Sequence, residues 1–403
     1  MVSIPDALGI ILERVPVRRT VDVPLAGAYG HVLAVGAVSD VDMPPFPKSA
    51  MDGFALRSSD VASAPARLRV VGTIAAGQVA VHPVGPGEAM KIMTGAPVPA
   101  GADAVQMVER TRSSGDDVEI LESVTAGENV ARQAEDLRRG DVALPAGTYV
   151  GGAEIGILAS IGAATVTVYR APAVSVLSTG DELCPVDGTP AAGQIRNSNG
   201  PTLAAMSRAE RCSVVELGIA RDERCALREL ISRGLESDVL LVTGGVSMGE
   251  HDLVDGMLRE LGVELHFESV KIKPGKPMVF GTSRSGTMVF GLPGNPLSSM
   301  VNFMLFVAPA IRTIRGLPKV EAARARARLT GRAKGDRRRP TYARAILTLA
   351  ADGFTCEPVA WHGSADLPAF CRGNGLLEVP EGVAALEAGD TATVLFEETF
   401  LWR

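Results

Sequence analysis

From Arg170 to about residue 318 the chain repeats one pattern: a short apolar run, a turn, then an amphipathic stretch. AVSVLS precedes a helix from about Gly200, SVVELG one around Arg224 to Gly234, and DVLLV one at Leu253 to Leu261. TMVFG then leads through LPGNP into PLSSMVNFMLFVAPAIRTI. Strands separated by helices return in the same direction, so the spacing predicts a parallel sheet with helices on both faces. Ligands of such sheets bind at the carboxyl ends of the strands, where these turns lie.

The remainder of the 403 residues reads differently. Residues 3–15 have helical periodicity, and the alternating stretch that follows runs into a proline-rich break at Pro44 to Pro47, which sets a boundary near residue 45. Short apolar runs punctuated by Gly, Pro and Asp fill about 50–130, the texture of a small all-β domain. A helix and a strand in AEIGILASIGAATVTVYR then pack back on the N-terminal region, which makes that domain discontinuous, and the stretch from about Pro318 predicts a small all-β terminal domain. Val301 to Ile311 is too short to span a bilayer and is read as a core-facing helix.

Composition removes several function classes. Aromatic residues make up 4% of the chain and its net charge is −6, so neither base stacking nor general polyanion binding is expected, and nucleic acid is excluded as a partner. Five scattered cysteines without a C-x-x-C pair argue against a disulfide framework or structural zinc and for a reducing cytoplasm. The N-terminus lacks a basic leader, so no secretion signal or membrane association is expected. Neither a phosphate loop, nor G-x-G-x-x-G after a strand, nor H-E-x-x-H occurs.

The chemistry must therefore come from the turns. In STGDEL, Thr179 and Gly180 expose Asp181 and Glu182, although helix capping by Asp181 is a competing account. TGGVSMGEHD has the G-x-S-x-G spacing of a nucleophile elbow at Ser247, with His266 and His362 as candidate bases. Glu250, Asp252 and Asp255 would oppose an oxyanion at that serine, whereas the Gly244-Gly245 amides suit a bound phosphate. Carboxylates on adjacent strand ends also suit Mg²⁺. KIKPGKP holds Lys273 and Lys276 on a turn stiffened by prolines, a point-charge anion site. LPGNPLSS presents free amides and Ser298 at a helix start, with N-capping by Asn295 as an account that is compatible with this. Asp52 in MDG and Thr94 in MTG lie in turns that reveal little alone. The Arg-rich run at 322–340 is read as a solvated strand face.

SAMDGFAL, MTGAPVPAGADAV, STGDEL, GGVSMGEHD, KPGKP, LPGNP and the late GNGLLEVP follow one another as in the MoeA and gephyrin E-domain family of molybdenum insertases, which the chain resembles along essentially its whole length. The resemblance implies a four-domain homodimer with its active site shared between subunits. Its parts are a discontinuous N-terminal α+β domain (1–44 and 131–169), a small β domain (45–130), a molybdopterin-binding α/β domain (170–318) and a C-terminal β-barrel domain (319–403). It also implies insertion of molybdate into adenylylated molybdopterin with release of AMP and help from Mg²⁺. The molybdopterin adenylyltransferase and apo-molybdoenzymes are the partners it suggests.

Carried over by motif, Asp52 and Thr94 reach the site from the partner subunit and Asp136 joins them. Glu182, Asp222 and Asp252 act in pyrophosphate cleavage, and Asp181, Glu182 and Asp252 hold the metal. Thr179, Gly180, Gly244, Gly245, Ser247, Pro293, Gly294, Asn295 and Pro296 hold the pterin. Lys273, Lys276 and Ser298 hold molybdate, completed by Arg344 and Ser364. The chain departs from the family pattern at Pro47, Phe54, Ala134, Arg196 and Gly200, which leaves room for an altered substrate. A serine esterase using Ser247 and a cofactor-holding scaffold are the rival readings; the retained carboxylates disfavour a scaffold, since an anionic ligand binds better without them.

Overall fold

The computed structural model describes residues 1–245 and 253–396 and divides them into two compact units. One comprises Asp22–Thr167, the other Met1–Val21 with Val168–Arg403.

The Asp22–Thr167 unit is built on a six-stranded sheet in the order Ala104–Met107, Gly53–Leu56, Glu88–Ile92, Ala66–Ile74, Asp117–Ile120, Thr111–Ser114. Both faces are apolar. Phe54, Leu56, Leu68 and Val118 lie in one cluster, Ala55, Ile74, Met90 and Val105 in another, which is the period-two alternation of a strand buried on both sides. Two short ladders, Ala37–Val38 with Val142–Leu144 and Lys48–Ser49 with Val130–Ala131, join segments far apart in sequence.

Ala134 in this unit has φ +57°, in the left-handed region that favours glycine. An L-residue in the left-handed region costs about 1–2 kcal/mol, while glycine returns about 0.4–1 kcal/mol of that through unfolded-chain entropy. Ala134→Gly is therefore expected to stabilise this unit by a few tenths to about 1 kcal/mol. A calorimetric transition that moves down rather than up would remove the strain account.

In the second unit the α/β sheet runs Ser213–Ala220, Ala173–Thr179, Val239–Thr243, Met288–Leu292, Pro277–Thr282, Glu264–Ser269. The first four strands are parallel, as the sequence pattern predicts. The last two are antiparallel to their neighbours, so the sheet is mixed. The reason is connection length: no helix separates Glu264–Ser269, Pro277–Thr282 and Met288–Leu292, and short turns allow only antiparallel return.

Helices cover both faces. Arg224–Gly234 and Leu253–Glu260 bury Leu227, Ile231, Val254 and Leu258 on one. Asn199–Ala209 and the long helix Pro296–Ile314 cover the other, where Phe267, Phe280 and Phe290 stack in series. Among the described residues Pro296–Ile314 is the one helix long and apolar enough to cross a membrane, yet it is 83% buried inside the protein, consistent with a core helix. The N-terminal helix Ile4–Leu12, capped by the Ser3 hydroxyl, places Ala7 and Ile11 in this same core.

Five strands, Ala323–Leu329, Gly353–Pro358, Thr341–Ala350, Gly375–Val379 and Thr391–Phe396, close into a barrel. In ARARARL, Ala325, Ala327 and Leu329 are buried in the barrel and Arg324, Arg326 and Arg328 are exposed, the solvated face expected from alternation. The barrel is tied to the α/β sheet at one turn: Lys273 N–H donates to Pro340 O (3.0 Å) and Tyr342 N–H to Lys273 O (2.7 Å).

Candidate functional site

The carboxyl ends of three parallel strands meet in a cleft lined by Thr179, Glu182, Asn199, Thr243, Gly244 and Gly294 among others. Each strand leaves its sheet through a residue that is hydrogen-bonded to the next turn. The Thr179 hydroxyl donates to Asp222 Oδ1 (2.7 Å), and Asp222 N–H to Asp181 Oδ1 (3.3 Å), so the acids of two strand ends lie together. Gly180, at φ +147°, lets the Glu182 carboxylate fold over it: a Cβ there would lie 2.4 Å from Glu182 Oε2. Gly244 (φ +92°) and Gly245 (φ +59°) are both left-handed, and a Cβ at Gly244 would lie 2.2 Å from the Thr179 carbonyl oxygen. Glycine is required there for close approach as well as for backbone conformation.

The LPGNP loop is held from beneath. Thr243 Oγ1 donates to Pro293 O (3.2 Å), Ser299 Oγ donates to the same carbonyl, and Asn199 Nδ2 donates to Gly294 O (2.8 Å) and to Thr243 Oγ1 (2.9 Å). Asn295 caps the following helix by position, its side chain making no capping bond, and Pro296 opens it. Buried Ser298 stands in its first turn, and Leu297 N–H donates to Ser364 O (3.1 Å), which places the Ser364 backbone at this helix start.

The Lys273–Lys276 turn is clamped on two sides, by the barrel and by buried Asn302, whose Nδ2 donates to Gly275 O (3.1 Å). Gly275 has φ +101°, and a Cβ would lie 2.5 Å from Asn302 Oδ1. Lys273 Nζ lies 3.5 Å from Asp336 Oδ2. The Arg338 amide, with the charges of Lys273 and Arg339, holds the Asp336 carboxyl below the usual carboxylate range, so it remains an anion that offsets part of the lysine charge. Arg344 is placed differently from the other oxyanion candidates. It is 7% exposed, stacks on Phe370 at 4.0 Å, and gives Nε to Phe370 O (2.9 Å) and Nη2 to Gly373 O (2.7 Å), which bolts the helix Leu367–Arg372 to the barrel.

In the Asp22–Thr167 unit, Asp52 and Thr94 are in direct contact. Thr94 donates both its N–H (2.6 Å) and its hydroxyl (2.8 Å) to Asp52 Oδ1, and these bonds, the amide first, hold the Asp52 carboxyl below its ordinary range. Asp136 is exposed and anchored through its N–H to Met43 O (2.9 Å). Ser247, Glu250 and Asp252 lie outside the described residues. Both candidate bases for a serine elbow are engaged elsewhere: His266 Nε2 bonds Thr282 Oγ1 (2.8 Å) and His362 pairs with Asp366 (3.3 Å).

No group of three or more His, Cys, Asp or Glu side chains converges on a metal position among the described residues. The donor chemistry nevertheless suits Mg²⁺. Asp181, Glu182 and Asp222 present exposed carboxylate oxygens on adjoining turns, the few hard ligands that ion takes when a phosphate supplies the rest. Sequence reading passed over Asn199, Thr243, Asn302 and Asp336. Each acts through a residue distant in the chain: Asn199 on Thr243, Thr243 on Pro293, Asn302 on Gly275 and Asp336 on Lys273; only the helix start at NSN and the unusual buried asparagine in an apolar helix hinted at them.

Three family models match the chain in succession. The MoeA N-terminal region (domain I and II) matches residues 2–162, a probable molybdopterin binding domain matches 175–313, and the MoeA C-terminal region (domain IV) matches 326–396. A molybdopterin molybdenumtransferase of Nostoc sp. is 37% identical over 98% of this chain and 94% of its own length. One of Staphylococcus aureus is 32% identical over 99% of this chain and 96% of its own. The crystal structure of a molybdopterin biosynthesis MoeA protein from Pyrococcus horikoshii OT3 superposes with a TM-score of 0.85 at 28% identity, covering 98% of this chain and 100% of that one.

Proposed function

This chain belongs to the MoeA family, and we propose that it inserts molybdate into adenylylated molybdopterin with release of AMP. The coarser statement, a transferase of molybdenum cofactor biosynthesis, follows from the family itself. The finer reading rests on one observation above all: a single unit carries both a cleft at parallel strand ends and a separate, rigid two-lysine turn. One substrate with a phosphate end and one compact oxyanion need two such sites.

The division of labour follows from the chemistry of each group. The Gly244 N–H is spent on Leu292 O (3.1 Å), so of the amides expected at this strand end it is not available to a ligand. The Gly245 and Gly294 amides suit the phosphate end of the pterin, because backbone N–H groups attract negative charge without carrying a counter-charge of their own. Lys273 and Lys276 hold molybdate by point charge, and Ser298 offers it a hydroxyl. Asp181, Glu182, Asp222 and Asp252 would hold Mg²⁺, which supplies neutralisation of the pyrophosphate charge when bound. Asp52, kept anionic by Thr94, would orient the reacting group from the partner subunit of a homodimer.

Purified protein is expected to release AMP from adenylylated molybdopterin only when molybdate and Mg²⁺ are both present, and to lose that release in Asp252→Ala. AMP release that ignores molybdate would sink the insertase reading. Hydrolysis of an activated ester that disappears in Ser247→Ala would replace it with an esterase.

A further inference from the structure

The amide of Asn199 spans two turns that line the cleft. Its Nδ2 carries two hydrogens, and both are used within the protein, on Thr243 Oγ1 at 2.9 Å and on Gly294 O at 2.8 Å. A carbonyl oxygen only accepts, so the contact with Gly294 fixes which end of the amide is nitrogen. Thr243, having accepted from Asn199, passes its own hydrogen to Pro293 O at 3.2 Å, and Ser299 adds a second donor to that carbonyl. The result is a relay, Asn199 to Thr243 to Pro293, closed by the direct bond from Asn199 to Gly294.

A trans peptide points its C=O and the following N–H in opposite directions. Thr243 and Ser299 are each 1% exposed, so the Pro293 carbonyl they hold points into the protein. The Gly294 N–H must then point outward, at an exposed glycine on the wall of the cleft, and among the described residues it has no hydrogen-bond partner. A flip of the Pro293–Gly294 peptide, which glycine readily permits, would present a carbonyl oxygen to the same space and repel an anion.

We propose that Asn199 is a substrate-positioning residue, which through Thr243 and Gly294 keeps the Gly294 amide aimed at the phosphate end of the pterin substrate. This rests on the cleft being the pterin seat. Arg196 and Glu182 line the same cleft, but among the described residues neither is bonded to the LPGNP loop; the Gly244 N–H holds its entry at Leu292 O (3.1 Å), and the side chains that orient the Pro293–Gly294 peptide are Asn199, Thr243 and Ser299.

The test is binding of molybdopterin to the full chain by titration calorimetry, with molybdate binding and the melting temperature measured beside it. Asn199→Asp keeps the size of the side chain and loses both donors. It is expected to weaken molybdopterin binding about tenfold or more, the loss of a hydrogen bond and of an aligned amide. Thr243→Val should weaken it comparably, and the double variant by no more than the worse single change by over about threefold, because the two residues serve one relay. Molybdate binding should be unmoved, and in turnover the KM for the pterin should rise while kcat holds. Molybdopterin binding as tight in Asn199→Asp as in the wild type overturns this inference alone, and so do fully additive losses. Wild-type protein that binds no molybdopterin overturns the functional reading and this inference with it.

Discussion

Replacing Lys273 and Lys276 together by methionine is expected to raise the KM for molybdate by roughly two to four orders of magnitude, since each hydrogen bond to a charged group contributes about 1.5–3 kcal/mol. The turn that carries them cannot rearrange to compensate. Its ends are fixed by Lys273 N–H on Pro340 O, Tyr342 N–H on Lys273 O and Val270 N–H on Lys276 O, and its middle by Asn302 on Gly275. The two lysines are not equivalent, because Asp336 already neutralises part of the charge at Lys273. Lys276→Met alone should therefore cost more than Lys273→Met alone, and Asp336→Asn should lower the KM for molybdate. Steady-state AMP release titrated with molybdate at fixed ionic strength is the measurement, fixed because salt screens exposed charge. A double variant with a KM within about threefold of wild type would place molybdate elsewhere.

Gly244→Ala should be the most damaging conservative change in the cleft. The new methyl would lie 2.2 Å from the Thr179 carbonyl oxygen, and the backbone sits at φ +92°, where an L-residue is strained. Overpacking of this kind costs about 1–3 kcal/mol, and the backbone strain adds about 1–3 kcal/mol. Relief requires the strand end at Thr179 to separate from the turn at Gly244, which opens the cleft floor. Thermal unfolding and molybdopterin affinity should fall together. Gly193→Ala is the control, with φ +79° but nothing within 4 Å of its Cβ, so it meets only the backbone term. If Gly244→Ala melts no lower than Gly193→Ala, steric closure between the two strand ends is not what demands glycine.

Several features are legible in the sequence alone, and for a physical reason. The four parallel strands announce themselves because each is followed by a helix, and the ARARARL strand because alternation is local. The two antiparallel strands at Glu264–Ser269 and Pro277–Thr282 escaped a pattern that looks for helices between strands. Asp52 and Thr94 read separately as turn residues; that one carboxylate oxygen takes both donors of the other residue depends on two strands pairing across the sheet.

Local sequence thus determined the residue types at each strand end: glycines where the backbone must turn left-handed, acids beside them, and two lysines around a Pro-Gly turn. Those properties belong to single residues and their nearest neighbours. Which of these groups meet was decided by the tertiary structure alone. Pairing of Lys273 with Asp336, burial of Arg344 on Phe370, and the link from Asn199 through Thr243 to Pro293 all join residues distant in the chain. A hydrogen bond acts over about 3 Å, and no periodicity within a segment records which other segment the fold will bring that near.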